Sequence, residues 1–151
     1  MKKDKDYVDL MKLLNINEID LKEFKKAFDV TKREHIMSYV NQKYVSIGQR
    51  ALQLVYADLY FCDDLNQVFE ILDSHERMLE ISERYRLNEY VYSKNGDEII
   101  VGFIIRSTLF FAIAGIIFLQ KGYTYLRKWY QNFVYSYEIN KDFIEKKVGI
   151  I

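Results

Sequence analysis

Apolar residues recur along this chain mostly at helical spacing, three or four positions apart. Val8, Leu10, Met11, Leu13 and Leu14 predict a short first helix behind a charged stretch, residues 1–6, that is expected to fray. Asn15 to Asp20 interrupts the pattern, and LKEFKKAF (residues 21–28) resumes it with Leu21, Phe24 and Phe28 on one face. Asp29 to Glu34 reads as a polar connection. From His35 to Leu59, Ile47, Ala51, Leu54, Val55 and Leu59 keep helical register, which predicts one long helix or a long helix behind a shorter one. Asp63 and Asp64 can cap a following helix whose Leu65, Val68, Phe69 and Leu72 point inward. Ser74 caps another helix ending near Tyr85, with Arg77 where a complete capping box would carry Glu or Gln. SKNGD, residues 93–97, is the clearest turn. A very apolar segment, Ile99 to Leu119, follows, then a helix from about Tyr123 to Tyr137.

These elements predict an all-α bundle around a central apolar helix at about residues 99–119. Residues 1–20 read as an N-terminal extension with a short helix, 21–138 as the helical domain and 139–151 as a tail. With no proline and six glycines, long helices are unobstructed and an all-β fold lacks turn residues.

The apolar segment raises a membrane question. About 20 apolar residues suffice to cross a bilayer. Arg106, however, lies near the segment's middle, and a central arginine costs roughly 2.5–3.5 kcal/mol on insertion scales. A helix apolar on all sides is also what the centre of a bundle requires. The buried-helix reading is preferred, with a small membrane-anchored protein as the alternative.

Length and composition narrow the field further. A chain of 151 residues, half of them apolar and with 13 Tyr and 10 Phe, can bury the core of one domain. Lys plus Arg and Asp plus Glu balance at 22 each. A free-standing nucleic-acid binder is usually basic, so neutrality argues against one while leaving room for a local basic patch. It also favours a protein partner over solitary solubility. Cys62 is the sole cysteine, which excludes an internal disulfide and a Cys-rich zinc site and suits a reducing intracellular compartment, cytoplasm or mitochondrial matrix. His35 and His75 show no metal-ligand spacing, and no nucleotide-binding or serine-hydrolase motif is present. No cofactor is expected.

Three segments carry a resemblance. NQKYVSIGQRAL (41–52) keeps Asn41, Lys43, Ile47, Gly48 and Leu52 of a pattern close to NERLEFLGDAVL. STLFFAIAGIIFLQKGY (107–123) keeps Phe110, Ala112, Gly115, Ile117, Leu119, Lys121, Gly122 and Tyr123 in unbroken register with a second pattern, close to ADTFEALIGAIYLDKGY. Between them, HERMLEISERYRLNEYV (75–91) keeps Glu76, Ile81, Leu87, Glu89 and Tyr90 of a third. Together these resemble the ribonuclease III domain, and FKKAF (24–28) is similar to its first helix. The resemblance implies an all-α nuclease fold over about residues 24–135.

It also implies a lost chemistry. That family holds divalent metal on carboxylates, and the metal generates the attacking hydroxide and neutralises the leaving oxygen. The four acidic positions fall here on Val45, Gln49, Thr108 and Phe111, and a further signature glutamate on Gln42. No cleavage of the family kind is expected, and no bound metal. The aromatic residue that seats family dimers is replaced by Ser46. A ring's buried area has no substitute in a hydroxyl, so a heterologous partner, such as a second ribonuclease III-like chain, becomes plausible.

The expectation is thus a non-catalytic ribonuclease III-like domain, a structural or RNA-associated subunit of a larger ribonucleoprotein. Inactive members of the family occur in mitochondrial ribosomes and RNA-editing complexes. Lys43, Arg50, Lys121, Arg127 and Lys128 are the candidate RNA contacts, the last three interleaved with Tyr123, Tyr125, Trp129 and Tyr130. The plainer reading is that these aromatics are half core and the charges a solvated rim. Arg50 and Arg106 flank the altered positions, where they either meet phosphate or, on the plainer reading, pair with a nearby carboxylate or snorkel to solvent. An active nuclease with relocated acidic residues is the enzymatic alternative.

Overall fold

The computed structural model describes residues 2–33, 38–60, 64–95, 99 and 101–136, with side chains up to residue 133. Among these residues seven α-helices run in order: α1 (Asp4–Leu13), α2 (Leu21–Lys25), α3 (Gln42–Leu59), α4 (Leu65–Leu72), α5 (His75–Arg84), α6 (Phe103–Arg106) and α7 (Leu109–Ser136). Short 3-10 turns at Lys26–Phe28 and Leu87–Tyr90 follow α2 and α5. Among the described residues the only β pairing is two isolated bridges, Asp29 with Tyr92 and Lys32 with Tyr39. The all-α bundle is what the sequence pattern predicts.

Local chemistry sets the helix starts. Asp20, Asp64 and Ser74 each accept the backbone N–H three residues on, from Glu23, Gln67 and Arg77. Each bond satisfies one of the unpaired donors at a helix start. The N-terminus departs from expectation: α1 begins at Asp4 because the Asp6 carboxylate accepts the Lys3 N–H at 2.8 Å, which organises residues expected to fray. Asn15, at φ 61°, turns the chain after α1, a conformation Asn tolerates. Asp63, Gly96, Asp97 and the tail 139–151 lie outside the described residues.

α1 is built into the core. Tyr7 is fully buried, packs edge-on against Phe28 and Tyr90, and donates its hydroxyl to the Tyr90 carbonyl. Burial pushes that phenol far above its usual range, so it stays a neutral donor. Leu10, Met11, Leu14, Ile16 and Ile19 are buried beside it.

α3 and α7 form the centre. They meet at Gly48 and Gly115: a Cβ on Gly48 would lie 1.7 Å from the Phe111 carbonyl oxygen, and one on Gly115 2.1 Å from that of Tyr44. Only hydrogen fits at either crossing point. Around it, Val45, Ala51, Leu52 and Val55 of α3 pack with Leu109, Ala112, Ile113, Ile116 and Ile117 of α7 in one buried cluster. The central apolar helix is present, with shifted bounds. Ser107 Oγ donates to the Ile104 carbonyl and Thr108 Oγ1 to that of Ile105, which closes α6 before α7 begins at Leu109. At the other end α7 continues past Leu119 to Ser136, broken at Gly122 by φ 84° and ψ −178°. Phe103–Phe133 is long and apolar enough to cross a membrane by length and composition, and 61% of its most apolar window is buried inside the protein.

On α4, Val68 and Leu72 are buried as predicted, whereas Leu65 is 38% exposed. Leu65 is the first helical residue, so its side chain stands at the end of the apolar stripe rather than under it.

Candidate functional site

The four positions that the resemblance equates with acidic residues, Val45, Gln49, Thr108 and Phe111, come together at the crossing. Gly48, between Val45 and Gln49, rests on the Phe111 backbone, so this turn of α3 sits on the first turn of α7, with Thr108 just before it. Val45 and Phe111 are each 5% exposed hydrocarbon within the core. The Thr108 hydroxyl is committed to the Ile105 carbonyl at 2.9 Å. The Gln49 amide nitrogen donates to Asp73 Oδ2 at 3.4 Å, and Gln53, one turn on, donates to the same oxygen at 2.9 Å. Magnesium requires several hard oxygen ligands in octahedral array. No three His, Cys, Asp or Glu side chains gather in metal-holding geometry among the described residues. The residues at this crossing do not fit such an ion.

A polar network occupies the space beside it, which the sequence pattern did not reveal. Arg77 of α5 is fully buried and donates to the Leu72 carbonyl at 2.7 Å and the Tyr130 hydroxyl at 2.9 Å. A lone arginine at the third position of a capped helix reads as a surface residue. Nothing local distinguishes it, because its partners lie on α4 and α7. Tyr56 and Tyr130 are fully buried with rings 5.4 Å apart. Burial raises the Asp73 carboxyl above its ordinary range, although Gln53, Gln49, Tyr56 and Arg77 all favour its charged form. Asp73 Oδ1 and the Tyr56 hydroxyl are both buried, and burial first, then the neighbouring Tyr130 and Asp73, pushes the Tyr56 phenol well above its ordinary range.

The candidate RNA contacts separate into two groups. Lys43 and Arg50 lie exposed on α3; the Lys43 ammonium sits 5.7 Å over the Tyr44 ring, and Arg50 donates to Gln53 Oε1 at 3.2 Å rather than to a carboxylate. Lys121, Arg127 and Lys128 lie on α7, where Lys121 and Lys128 are exposed. Arg127 is held by Asp58 of α3 at 2.7 Å, and Tyr123 donates to the same carboxylate at 2.8 Å. These two bonds hold the Asp58 carboxyl below its usual range. Trp129 and Tyr130 are core residues at 5% and 0% exposure, unavailable for stacking on bases. Arg106 is half-buried, and its Nε is buried without a described partner, so the expected carboxylate pairing does not form at that atom.

The fold has a solved counterpart. The chain is similar to the nuclease domain of ribonuclease III from Campylobacter jejuni, with a TM-score of 0.68 and 18% identity over 94% of this chain and 95% of that one. It adopts a ribonuclease III-like, all-α fold. No protein-family model matches the chain, and neither does any curated protein.

Proposed function

We propose that this chain is a non-catalytic ribonuclease III-like domain, a structural or RNA-associated subunit of a larger ribonucleoprotein assembly such as a mitochondrial ribosome or RNA-processing complex. The observation that carries the reading is the α3–α7 crossing. Its glycine-tight geometry goes with a nuclease fold, while positions 45, 49, 108 and 111 hold two buried hydrocarbons, an amide and a committed hydroxyl. Two-metal phosphodiester hydrolysis has no ligands to run on there. Ser46 stands exposed on α3, where a dimer of the usual kind would need an aromatic plug, and this favours a different partner. Exposed Lys43, Arg50, Lys121 and Lys128 supply cations that RNA contact would use, and Arg127 serves α3 through Asp58.

The test has two arms. Purified protein is incubated with double-stranded RNA and magnesium or manganese, and tagged protein is isolated from its native source for identification of bound protein and RNA. Absence of metal-dependent cleavage, together with ribosomal or RNA-processing companions, supports the proposal. Cleavage that disappears on Asp73→Asn or Asp64→Asn would replace it with a relocated-carboxylate nuclease. Recovery in the membrane fraction after carbonate extraction would replace it with a membrane-anchored protein.

A further inference from the structure

We propose that a cleft between α1, α2 and the segment after the second 3-10 turn binds a phosphomonoester, a dianionic phosphate on an organic body. The cleft encloses about 310 Å³, at the lower end of the range for small-ligand sites. No lining residue belongs to α3 or α7, so this site is separate from the crossing described above.

The charge on its wall is the first argument. Lys22, Lys25, Lys26 and Lys94 line it, against a single lining carboxylate, Asp4. The whole chain is charge-balanced, so this is a local concentration. Three of the lysines have internal partners of limited strength. Lys25 meets Asp4 at 2.9 Å, but that aspartate is 68% exposed; Lys26 meets Glu23 at 2.9 Å on the neighbouring helical turn; Lys94 meets the buried Asp29 at a loose 3.6 Å while 69% exposed. The Lys25 and Lys26 pairs lie at the surface, where such pairs contribute under about 1 kcal/mol and exchange readily, while Lys94 keeps a long contact to a buried carboxylate. Lys22 is exposed and has no ion pair among the described residues. A phosphomonoester carries roughly −1.5 to −2 charges at neutral pH and three acceptor oxygens, which several ammonium groups satisfy together.

The second argument is the rest of the wall. Leu21 and Tyr92 supply an apolar surface that a bare halide or inorganic anion would not use. Burial first, then the nearby Asp29 charge, pushes the Tyr92 phenol up to about 12, so it remains a neutral hydroxyl that does not repel an anion. Asp4 acts as an internal competitor: its carboxylate occupies the Lys25 ammonium until a stronger anion displaces it. Removing that carboxylate frees the Lys25 ammonium and so strengthens binding of the phosphomonoester.

Phenyl phosphate is the probe, titrated at constant ionic strength and followed by amide chemical shifts and by the thermal midpoint. Dimethyl phosphate and chloride are the comparison anions. Saturable binding is expected, with shifts confined to α1, α2 and residues 92–95. Lys22→Gln with Lys25→Gln lowers affinity at least about tenfold, and Asp4→Asn raises it by about two- to fivefold. Circular dichroism confirms that the variants fold, and Lys25→Arg retains binding. Phenyl phosphate binding no tighter than dimethyl phosphate, or indifference to the double substitution, overturns the proposal. A 5′-phosphorylated oligoribonucleotide that binds more tightly than its unphosphorylated form and than phenyl phosphate identifies an RNA terminus as the source. Equal or weaker binding identifies a small metabolite. Neither the nuclease assay nor the companion analysis depends on this result.

Discussion

Trp129 donates its indole N–H to the carbonyl of Leu14 across 2.9 Å, joining α7 to the end of α1 over 115 positions of sequence. Both residues are buried, at 5% exposure each, and the Trp129 ring also stacks on Phe110 with centroids 5.7 Å apart. The bond satisfies one of the carbonyls that a helix end leaves unpaired.

Trp129→Phe keeps a ring and deletes that donor, leaving the Leu14 carbonyl buried without its partner. A loss of about 1–3 kcal/mol is expected. Urea unfolding followed at 222 nm measures it, since this is the chain's only tryptophan and its fluorescence vanishes with the substitution. A loss under about 0.5 kcal/mol would show that α1 is held by its apolar face alone.

Gly48→Ala is a test in which two effects have opposite signs. Helix propensity favours alanine by about 1 kcal/mol. The added Cβ would sit 1.7 Å from a carbonyl oxygen of α7, with backbone and not a movable side chain in the way. Separation of the helices must follow, at a net cost of about 3 kcal/mol. Gly115→Ala meets the Tyr44 carbonyl in the same way. Stabilisation by either would refute the close crossing.

Arg77→Met removes a guanidinium that the Leu72 carbonyl and Tyr130 hydroxyl both use. Because it uncovers several buried polar groups at once, about 3–5 kcal/mol is expected. Tyr130→Phe alone should cost about 1–2 kcal/mol, and the double variant less than the sum, since the two residues share one bond. Strict additivity in a double-mutant cycle would argue against the network.

The Asp73 carboxyl is raised by burial, which gives its effect on stability a definite direction. A carboxyl whose folded-state pKa exceeds its unfolded value of 3.8 binds its proton more tightly when folded. Its contribution is fully favourable below that value and is lost as pH rises through the folded pKa. At neutral pH the buried charge therefore opposes folding. Asp73→Asn should be more stable than the parent at pH 7, with the advantage shrinking as pH falls toward and below 3.8. Denaturant midpoints across pH 3–8 check this, and an advantage that grows toward low pH would reverse the assignment.

Much of the bundle was readable from local pattern. Asp64 and Ser74 announce α4 and α5, and Leu21, Phe24 and Phe28 announce the second helical unit, because caps and helical faces are short-range properties. The boundary between α6 and α7 was hidden because it rests on two hydroxyls bonding back to carbonyls inside an apolar run. The start of α1 was missed because charged residues, which usually fray, here include the Asp6 that caps the helix. The crossing glycines could be matched to a family pattern, while their reason, backbone against backbone, emerges only in three dimensions. Arg77 and Asp73 were invisible for the same cause: their partners are long-range, and one charged residue on a helix looks like any other.

The break at Gly122 also sets a length. From Leu109 to Lys121 the uninterrupted apolar rod rises 1.5 Å per residue, roughly 20 Å in all. As a ruler, this rod is cut to the thickness of a small bundle, and its oily surroundings are the aromatic and aliphatic side chains of α3 and its own second half.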